Sequence, residues 1–232
     1  MHFHNVFDKM NLVKEGIQMI QGAIFDLDGL LLDTERIYED AWIKLGPKYG
    51  FKDSTFLAEA FCGVSEDTVV RTLNEYHVDA KGYLKDVLNY VSEHELTDLQ
   101  LKPGVKEILS FFQSKGIGRA VASSSPKQLI LRNLKIVGID SYFDEIVSAQ
   151  EVEHGKPAAD VFLEAAHRLQ VEPKHCLVFE DAINGVKAGI RGGFPTIMIP
   201  DIVQPDAVLK EATFGVFDTL DQAMVKIKSM MG

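Results

Sequence analysis

The chain has 232 residues, of which 46% are hydrophobic and 25% are charged. This length and balance are typical of a globular protein with one main core, or with a core and a smaller second domain. The net charge of −10 argues against a nucleic-acid polymer as the main partner. No apolar run has the length needed to span a bilayer, so we expect no membrane partner.

The N-terminal segment and the cysteines indicate the cellular compartment of the protein. Residues 1–19 lack the basic start and continuous apolar centre of a signal peptide, and we interpret them as an N-terminal extension. Cys62 and Cys176 lie far apart and in no paired motif, which is typical of reduced thiols. We therefore expect a cytoplasmic protein.

Four apolar runs predict buried strands. Their apolarity is continuous rather than alternating, which is typical of strands covered on both faces in a parallel sheet. The predicted strands are Gly22–Leu27, Gly118–Ala122, His175–Phe179 and Phe194–Ile199. Amphipathic patterns predict helices over Pro103–Lys115 and Ala158–Gln170. Strands that alternate with helices predict an α/β fold with a doubly wound parallel sheet.

One part of the chain differs from this alternating pattern. Residues 35–99 show helical periodicity and no strong strand pattern, which predicts a helical domain inserted after the first strand. The predicted core domain then comprises residues 20–34 and 100–232.

Two carboxylates, Asp26 and Asp28, stand at the end of the first predicted strand. Side chains two residues apart in an extended segment point to the same side. Open α/β sheets bind ligands at the carboxyl ends of their strands. Two close like charges are unfavourable unless a cation binds them or they share a proton. The pair indicates a hard-metal site with one carboxylate free to attack, and an Asp-rich turn before Gly29 is the alternative.

Polar side chains follow other predicted strands and turns. Glu180 and Asp181 follow the third strand, where they offer ligands for Mg²⁺ or a cap for the next helix. Lys156 lies in a turn that leads into a helix, where anions bind favourably. Ser123, Ser124 and Ser125 follow the second strand, and their hydroxyl and N–H groups suit either a phosphate oxygen or a helix cap.

These residues form four motifs in an order that resembles the haloacid-dehalogenase superfamily, specifically its phosphatases with a helical cap. The motifs are Phe25–Thr34, Ser123, Lys156 before Pro157, and Glu180-Asp181. The resemblance extends from about Gly22 to the C-terminus. It implies that residues 35–99 are the cap domain. It also implies a Mg²⁺-dependent phosphatase that acts on a small phosphorylated metabolite through an aspartyl-phosphate intermediate.

The resemblance implies a role for each motif residue. Asp26 would attack the phosphorus, and Asp28 would protonate the leaving oxygen and then activate water. Ser123 and the backbone at Ser124 would bind the phosphoryl group. Lys156 would offset the negative charge of Asp26 and the phosphate.

The resemblance also implies a metal site. Asp181 would ligate Mg²⁺ together with the Asp26 carboxylate and the Asp28 backbone carbonyl. Glu180 would orient a water molecule bound to the metal.

Two sister groups differ from the chain at identifiable positions. A β-phosphoglucomutase has an arginine where this chain has Glu66, and an acid repels the second phosphate that the arginine would clamp. That mutase also has a histidine where this chain has Tyr38. Dehalogenases lack an acid at the position of Asp28. We therefore predict a phosphatase, with a mutase as the first alternative and a non-catalytic phosphate-binding protein as the second.

The cap would decide which metabolite is bound. The chain is similar to the pseudouridine-5′-phosphatase and sugar-phosphatase branches, so the predicted substrate is a nucleoside monophosphate or a sugar phosphate. We predict that Glu35, Tyr38, Cys62 and Glu66 line the substrate site. Alternatively, Tyr38 packs with Trp42, four residues along the same helix, inside the cap. A monomer is expected.

Overall fold

The computed structural model describes residues 20–61, 64 and 66–231. The described chain divides into two compact units, one formed by the residues up to Leu31 and from Lys102 onward, the other by Leu32–Leu101. The predicted extension over residues 1–19 and the thiol of Cys62 lie outside the described residues. Among the helices that are described, none combines the length and apolarity required to cross a membrane.

Helices and strands alternate along most of the chain. In chain order they are β1 Gly22–Phe25, α1 Thr34–Leu45, α2 Thr55–Phe61, α3 Glu66–Glu75, α4 Ala80–Asp98, α5 Val105–Ser114, β2 Gly118–Ser123, α6 Lys127–Ile136, β3 Glu145–Ser148, α7 Asp160–Leu169, β4 Cys176–Glu180, α8 Ile183–Arg191, β5 Thr196–Met198, α9 Ala207–Ala212, β6 Gly215–Val216 and α10 Leu220–Met231.

The larger unit is built on a six-stranded sheet in the order β3-β2-β1-β4-β5-β6. Every neighbouring pair of strands is parallel. The chain winds outward from β1 in both directions, and the strand order reverses between β1 and β4, where such sheets bind ligands. The predicted doubly wound α/β fold is confirmed.

The four predicted strands are present, with ends shifted by one or two residues. Strands β3 and β6, the two edges of the sheet, were not predicted from the sequence. Glu145 and Ile146 of β3 are only partly buried, and β6 has two residues. Edge strands are less enclosed than central ones, so neither segment carries the long apolar run by which the central strands were identified.

Aromatic and aliphatic side chains fill the space around the central strands. Phe25 of β1 stacks on Phe179 of β4 with ring centroids 4.7 Å apart, and Phe112 of α5 meets Phe25 edge-on at 6.1 Å. On α7 the buried residues Val161, Phe162, Ala165 and Ala166 recur at helical spacing and join the core. This packing fixes the strand ends that carry the polar residues.

The smaller unit contains α1 to α4, and its described residues include no strand beyond an isolated antiparallel bridge between Leu32 and Leu101. Its core is aromatic: the ring of Trp42 lies 5.0 Å from those of Phe61 and Tyr83. The Tyr83 hydroxyl donates to the Trp42 carbonyl at 2.7 Å, which satisfies a buried polar group.

Candidate active site

Strand ends place the polar residues of the site. The N–H of Asp26 donates to the Phe179 carbonyl at 3.0 Å, so pairing with β4 holds the chain one residue past β1. Ser123 is the last residue of β2, and Glu180 is the last residue of β4. These three polar side chains are buried, with exposures of 6%, 1% and 1%. Their hydrogen bonds therefore form out of contact with bulk water.

Lys156 brings a buried positive charge to the strand ends. Its Nζ contacts Oδ1 of Asp26 and donates to Oε1 of Glu180 at 2.6 Å and to the Ala122 carbonyl at 3.2 Å. The ring of Phe162 lies beneath the ammonium, 4.8 Å from centroid to nitrogen. Two carboxylates, a carbonyl and an aromatic face thus surround this one lysine, which favours its charged form.

Three carboxylates form a compact cluster beside Lys156. Asp26, Glu180 and Asp181 each offer an oxygen, and these oxygens all lie within 4.8 Å of one another. The second oxygen of Glu180 accepts from the N–H groups of Asp181 and Ala182, each at 3.1 Å. Lys156 forms ion pairs with two of these acids, Asp26 and Glu180. Buried oxygen ligands with an excess of negative charge fit a hard divalent cation.

Two glycines permit close approach to the acids. Gly29 has φ +80, and a Cβ there would lie 2.4 Å from Oδ2 of Asp181. A Cβ on Gly185 of α8 would lie 1.7 Å from Oε1 of Glu180. Any larger residue would displace a carboxylate at either position.

The electrostatics of the cluster favour an additional cation. The pKa of Asp26 is raised to about 8: burial is the largest cause, the charge of Lys156 opposes it, and the charges of Glu180 and Asp28 add to the rise. For Lys156, burial acts to lower the pKa, but the charges of Asp26 and Glu180 outweigh burial and raise it overall. Lys156 is therefore a permanent cation, and the neighbouring carboxylates can accept more positive charge.

Asp28 has a different environment from Asp26. Its side chain is partly buried, and Oδ2 accepts hydrogen bonds from Ser125 Oγ at 2.7 Å and from Ser123 Oγ at 3.3 Å. The N–H of Ser125 donates to Ser123 Oγ at 3.0 Å. The two acids of this short loop therefore have different partners: Asp26 contacts a lysine, and Asp28 accepts hydrogen bonds from hydroxyls.

The structure brings most of the sequence-predicted residues together. Those joined by the contacts above are Asp26, Asp28, Ser123, Lys156, Glu180 and Asp181. Ser124 follows Ser123 directly and is exposed. The compact acidic cluster contains Asp26, Glu180 and Asp181, whereas the Asp28 carboxylate faces the serines.

Two contacts of the site were not predicted from the sequence. Ser125 belongs to the predicted serine run that begins at Ser123, but its hydrogen bond to Asp28 was not predicted. Phe162 was assigned to the core face of its helix, and its apolar spacing gave no signal of the contact with Lys156.

The predicted cap residues belong to the smaller unit. Glu35 and Tyr38 of α1 are partly buried, and Glu66 is exposed at the start of α3. Their contact with substrate stays a prediction.

Comparison with known proteins identifies the family. The sequence model of the haloacid dehalogenase-like hydrolases matches residues 20–193, well over half of the chain. The chain belongs to this family. The prediction of a haloacid-dehalogenase-type enzyme is therefore confirmed.

Relatives of this hydrolase include named phosphatases. A phosphorylated carbohydrates phosphatase of Thermotoga maritima is 34% identical over 182 residues, covering 77% of this chain and 84% of the relative. The fructose-1-phosphate phosphatase of Escherichia coli is 31% identical over 179 residues, covering 76% of this chain and 94% of the relative. The names of these relatives agree with the predicted enzyme class.

A solved structure shares the fold of the hydrolase. The β-phosphoglucomutase from Clostridium difficile superimposes with a TM-score of 0.71 at 26% identity, covering 91% of this chain and 97% of that one.

Proposed function

We propose that the protein is a Mg²⁺-dependent phosphomonoester hydrolase that acts on small phosphorylated metabolites through an aspartyl-phosphate intermediate. One observation carries the proposal: Asp26 is buried against Lys156 and two further acids, while Asp28 is separately bonded to hydroxyls. Two carboxylates whose environments differ in this way suit two roles, nucleophile and proton carrier.

Asp26 is the proposed nucleophile. One of its oxygens forms a bond to phosphorus while the bond from phosphorus to the leaving oxygen breaks, which gives an aspartyl phosphate and a free alcohol. Attack requires the carboxylate form, which Lys156 favours through its contact with Asp26. A carboxylate nucleophile divides one difficult hydrolysis into two easier displacements.

Asp28 is the proposed general acid and base. In the first displacement its carboxyl proton goes to the leaving oxygen. In the second it takes a proton from water as the water oxygen attacks phosphorus, and the bond to Asp26 breaks to release orthophosphate. Asp28 is protonated again at the end, so atoms and charge balance over the cycle.

Ser123, Ser124 and Lys156 are the proposed phosphate-binding residues. The Ser123 hydroxyl lies against Asp28, on the loop that carries the nucleophile, and Ser124 is the next residue and is exposed. Phosphoryl transfer depends mainly on positioning and charge neutralisation, which hydrogen-bond donors and an ammonium group supply.

The acidic cluster fits the metal ion that the family implies. Asp26 and Asp181 would hold Mg²⁺ together with the Asp28 backbone carbonyl, and Glu180, in the same cluster, would orient a water molecule bound to the metal. The excess of buried carboxylates over Lys156, and the glycine that leaves room for the Asp181 carboxylate, support this assignment. When bound, Mg²⁺ would offset negative charge on the carboxylates and on the transferring phosphoryl group.

The proposed substrate is a sugar phosphate or a nucleoside monophosphate. Named relatives act on phosphorylated carbohydrates and on fructose 1-phosphate, which favours sugar phosphates. We propose that the Leu32–Leu101 unit serves as the cap, with Glu35, Tyr38 and Glu66 selecting the substrate.

A β-phosphoglucomutase-like mutase is the alternative function, favoured by the structural likeness to the Clostridium difficile mutase. Glu66 argues against it, because a second phosphate needs positive charge in the cap. The two functions differ in whether free phosphate leaves the enzyme.

The experiment is phosphate release from sugar phosphates, nucleoside monophosphates and β-glucose 1-phosphate, with Mg²⁺ and with EDTA. Magnesium-dependent release from one compound far above the rest would support the proposal and identify the substrate. Conversion of β-glucose 1-phosphate to the 6-phosphate without release would contradict it in favour of the mutase.

A further inference from the structure

Ser125 makes the shorter of the two serine contacts to Asp28. Its Oγ lies 2.7 Å from Oδ2 of Asp28, whereas Ser123 Oγ lies 3.3 Å from the same oxygen. A hydrogen bond of 2.7 Å is at the optimum for a hydroxyl donor, and one of 3.3 Å is weaker. Ser125 is therefore the stronger hydroxyl partner of the proposed proton carrier.

The backbone of Ser125 is held at both of its polar atoms. Its N–H donates to Ser123 Oγ at 3.0 Å, and its carbonyl accepts from Ser148 Oγ at 2.7 Å. Ser148 ends β3 and is fully buried. These bonds orient the loop after β2 so that the Ser125 hydroxyl points at Asp28.

Ser148 is in turn fixed by an ion cluster. Its N–H donates to Oε2 of Glu151 at 2.9 Å, and Glu151 pairs with Lys127 at 3.1 Å and Arg168 at 3.2 Å. Glu151 also closes a capping box with Ser148 at the short helical turn that follows β3. Hydrogen bonds made by Ser148 and Ser125 therefore connect this ion cluster, residue by residue, to the Asp28 carboxyl group.

We infer that Ser125 is a positioning residue that holds the Asp28 carboxyl group for proton transfer, with Ser148 supporting it from β3. The inference rests on the proposed function, in which Asp28 protonates the leaving oxygen. A hydroxyl can donate to a carboxylate and accept from a carboxylic acid. The contact therefore persists when the Asp28 proton moves to the leaving oxygen and Asp28 becomes a carboxylate.

Leaving-group dependence separates this role from phosphate binding. An alkyl phosphate releases a basic alkoxide that needs a proton, whereas p-nitrophenyl phosphate releases a weakly basic phenolate that does not. Both esters carry the same phosphoryl group. A residue that acts through Asp28 affects kcat/KM for the alkyl ester selectively, and a residue that binds the phosphoryl group affects both esters equally.

The experiment compares wild type, Ser125→Ala and Ser125→Thr on the best alkyl phosphate from the substrate panel and on p-nitrophenyl phosphate. Ser110→Ala is the matched control, since Ser110 is exposed on α5 and its hydroxyl contacts Tyr142. We expect Ser125→Ala to lower kcat/KM roughly tenfold or more for the alkyl ester and less than about threefold for the aryl ester. Ser125→Thr keeps the hydroxyl and retains most of the activity, and Ser110→Ala leaves both values unchanged.

Equal losses on the two esters, or no loss on either, would overturn the inference. A Ser125→Thr protein as impaired as Ser125→Ala on the alkyl ester would also count against it, because the hydroxyl would not be the active feature. The proposed function is tested separately: a wild-type protein that releases phosphate from neither ester contradicts that function before any serine variant is compared.

Discussion

At the residue scale, the site depends on the different surroundings of two acids on one loop. Asp26 is enclosed, 6% exposed, and bound by a buried ammonium group. Asp28 is less enclosed and accepts bonds from uncharged hydroxyls. Attack by Asp26 requires its carboxylate form, which the Lys156 charge favours against the burial that raises the pKa of Asp26, whereas an acid that faces hydroxyls can exchange a proton.

The first prediction concerns the nucleophile. Asp26→Asn keeps the size of the side chain but removes the attacking carboxylate, so phosphate release should fall by roughly a thousandfold or more. Circular dichroism should show an unchanged fold. Asp140→Asn, at an exposed acid of the same unit, is the control and should retain full activity. Substantial turnover by Asp26→Asn would remove Asp26 from the nucleophilic role.

The second prediction concerns pH and the metal-free protein. The pKa of Asp26 is raised from 3.8 to about 8, chiefly by burial, so folding favours its protonated form. The raised pKa of Asp26 therefore contributes to the free energy of unfolding. This contribution is fully present below pH 3.8 and is lost as the pH rises through about 8. Asn cannot ionise, so Asp26→Asn should gain stability relative to wild type as the pH rises.

The measurement is urea unfolding of both proteins in EDTA at about pH 5 and about pH 8. The difference in free energy of unfolding should move in favour of Asp26→Asn at the higher pH. A difference that stays constant with pH would contradict the stated role of burial.

At the element scale, the turn after β1 must bring its backbone against the acid that follows β4. Gly29 has φ +80 and leaves no room for a Cβ beside Asp181. The third prediction is that Gly29→Ala costs about 1–2 kcal/mol of stability from the left-handed backbone and also weakens Mg²⁺ binding by displacing Asp181.

A second glycine separates these two effects. Gly193 has φ +78, and no atom lies within 4 Å of the position of its Cβ. Gly193→Ala should therefore lose similar stability but keep the wild-type affinity for Mg²⁺, measured by calorimetric titration. Equal Mg²⁺ affinities in the two variants would show that Gly29 is a turn residue only.

The sequence identified the elements whose side chains are fully enclosed. The central strands carry continuous apolar runs because both faces are covered. The acids that directly follow these runs were therefore recognised as candidate site residues. The edge strand β3 is partly exposed at Glu145 and Ile146, so its sequence lacks such a run. With β3 unpredicted, Ser148 and its hydrogen bond to the Ser125 carbonyl could not be placed.

The partners of the two loop acids could not be predicted from the sequence either. The spacing of Asp26 and Asp28 indicated that both face one side, yet it did not show that one meets a lysine and the other two serines. Lys156 lies on the loop before α7, whereas the two serines lie at the end of β2 and in the loop after it. Only the register of the parallel sheet brings these residues together.

At the scale of the whole molecule, an acidic chain must acquire positive charge where it binds phosphate. The net charge is −10, and Lys156 is the cation in contact with Asp26 and Glu180. The fourth prediction is that Mg²⁺ raises the free energy of unfolding, by about 2.7 kcal/mol at a concentration about a hundred times its dissociation constant.

Asp181→Asn tests whether the acidic cluster is responsible. Its thermal unfolding should respond little to Mg²⁺, whereas the exposed-site control Asp140→Asn should keep the wild-type response. A full response by Asp181→Asn would locate the stabilising metal elsewhere.

The most direct test of the central claim is to locate the covalent intermediate. The protein would be mixed with a substrate that carries a radiolabelled phosphoryl group, quenched in acid during turnover, digested and separated. The account predicts label on the peptide that contains Asp26, and none in Asp26→Asn. Label on another residue, or turnover with no labelled protein at any time before completion, would contradict it.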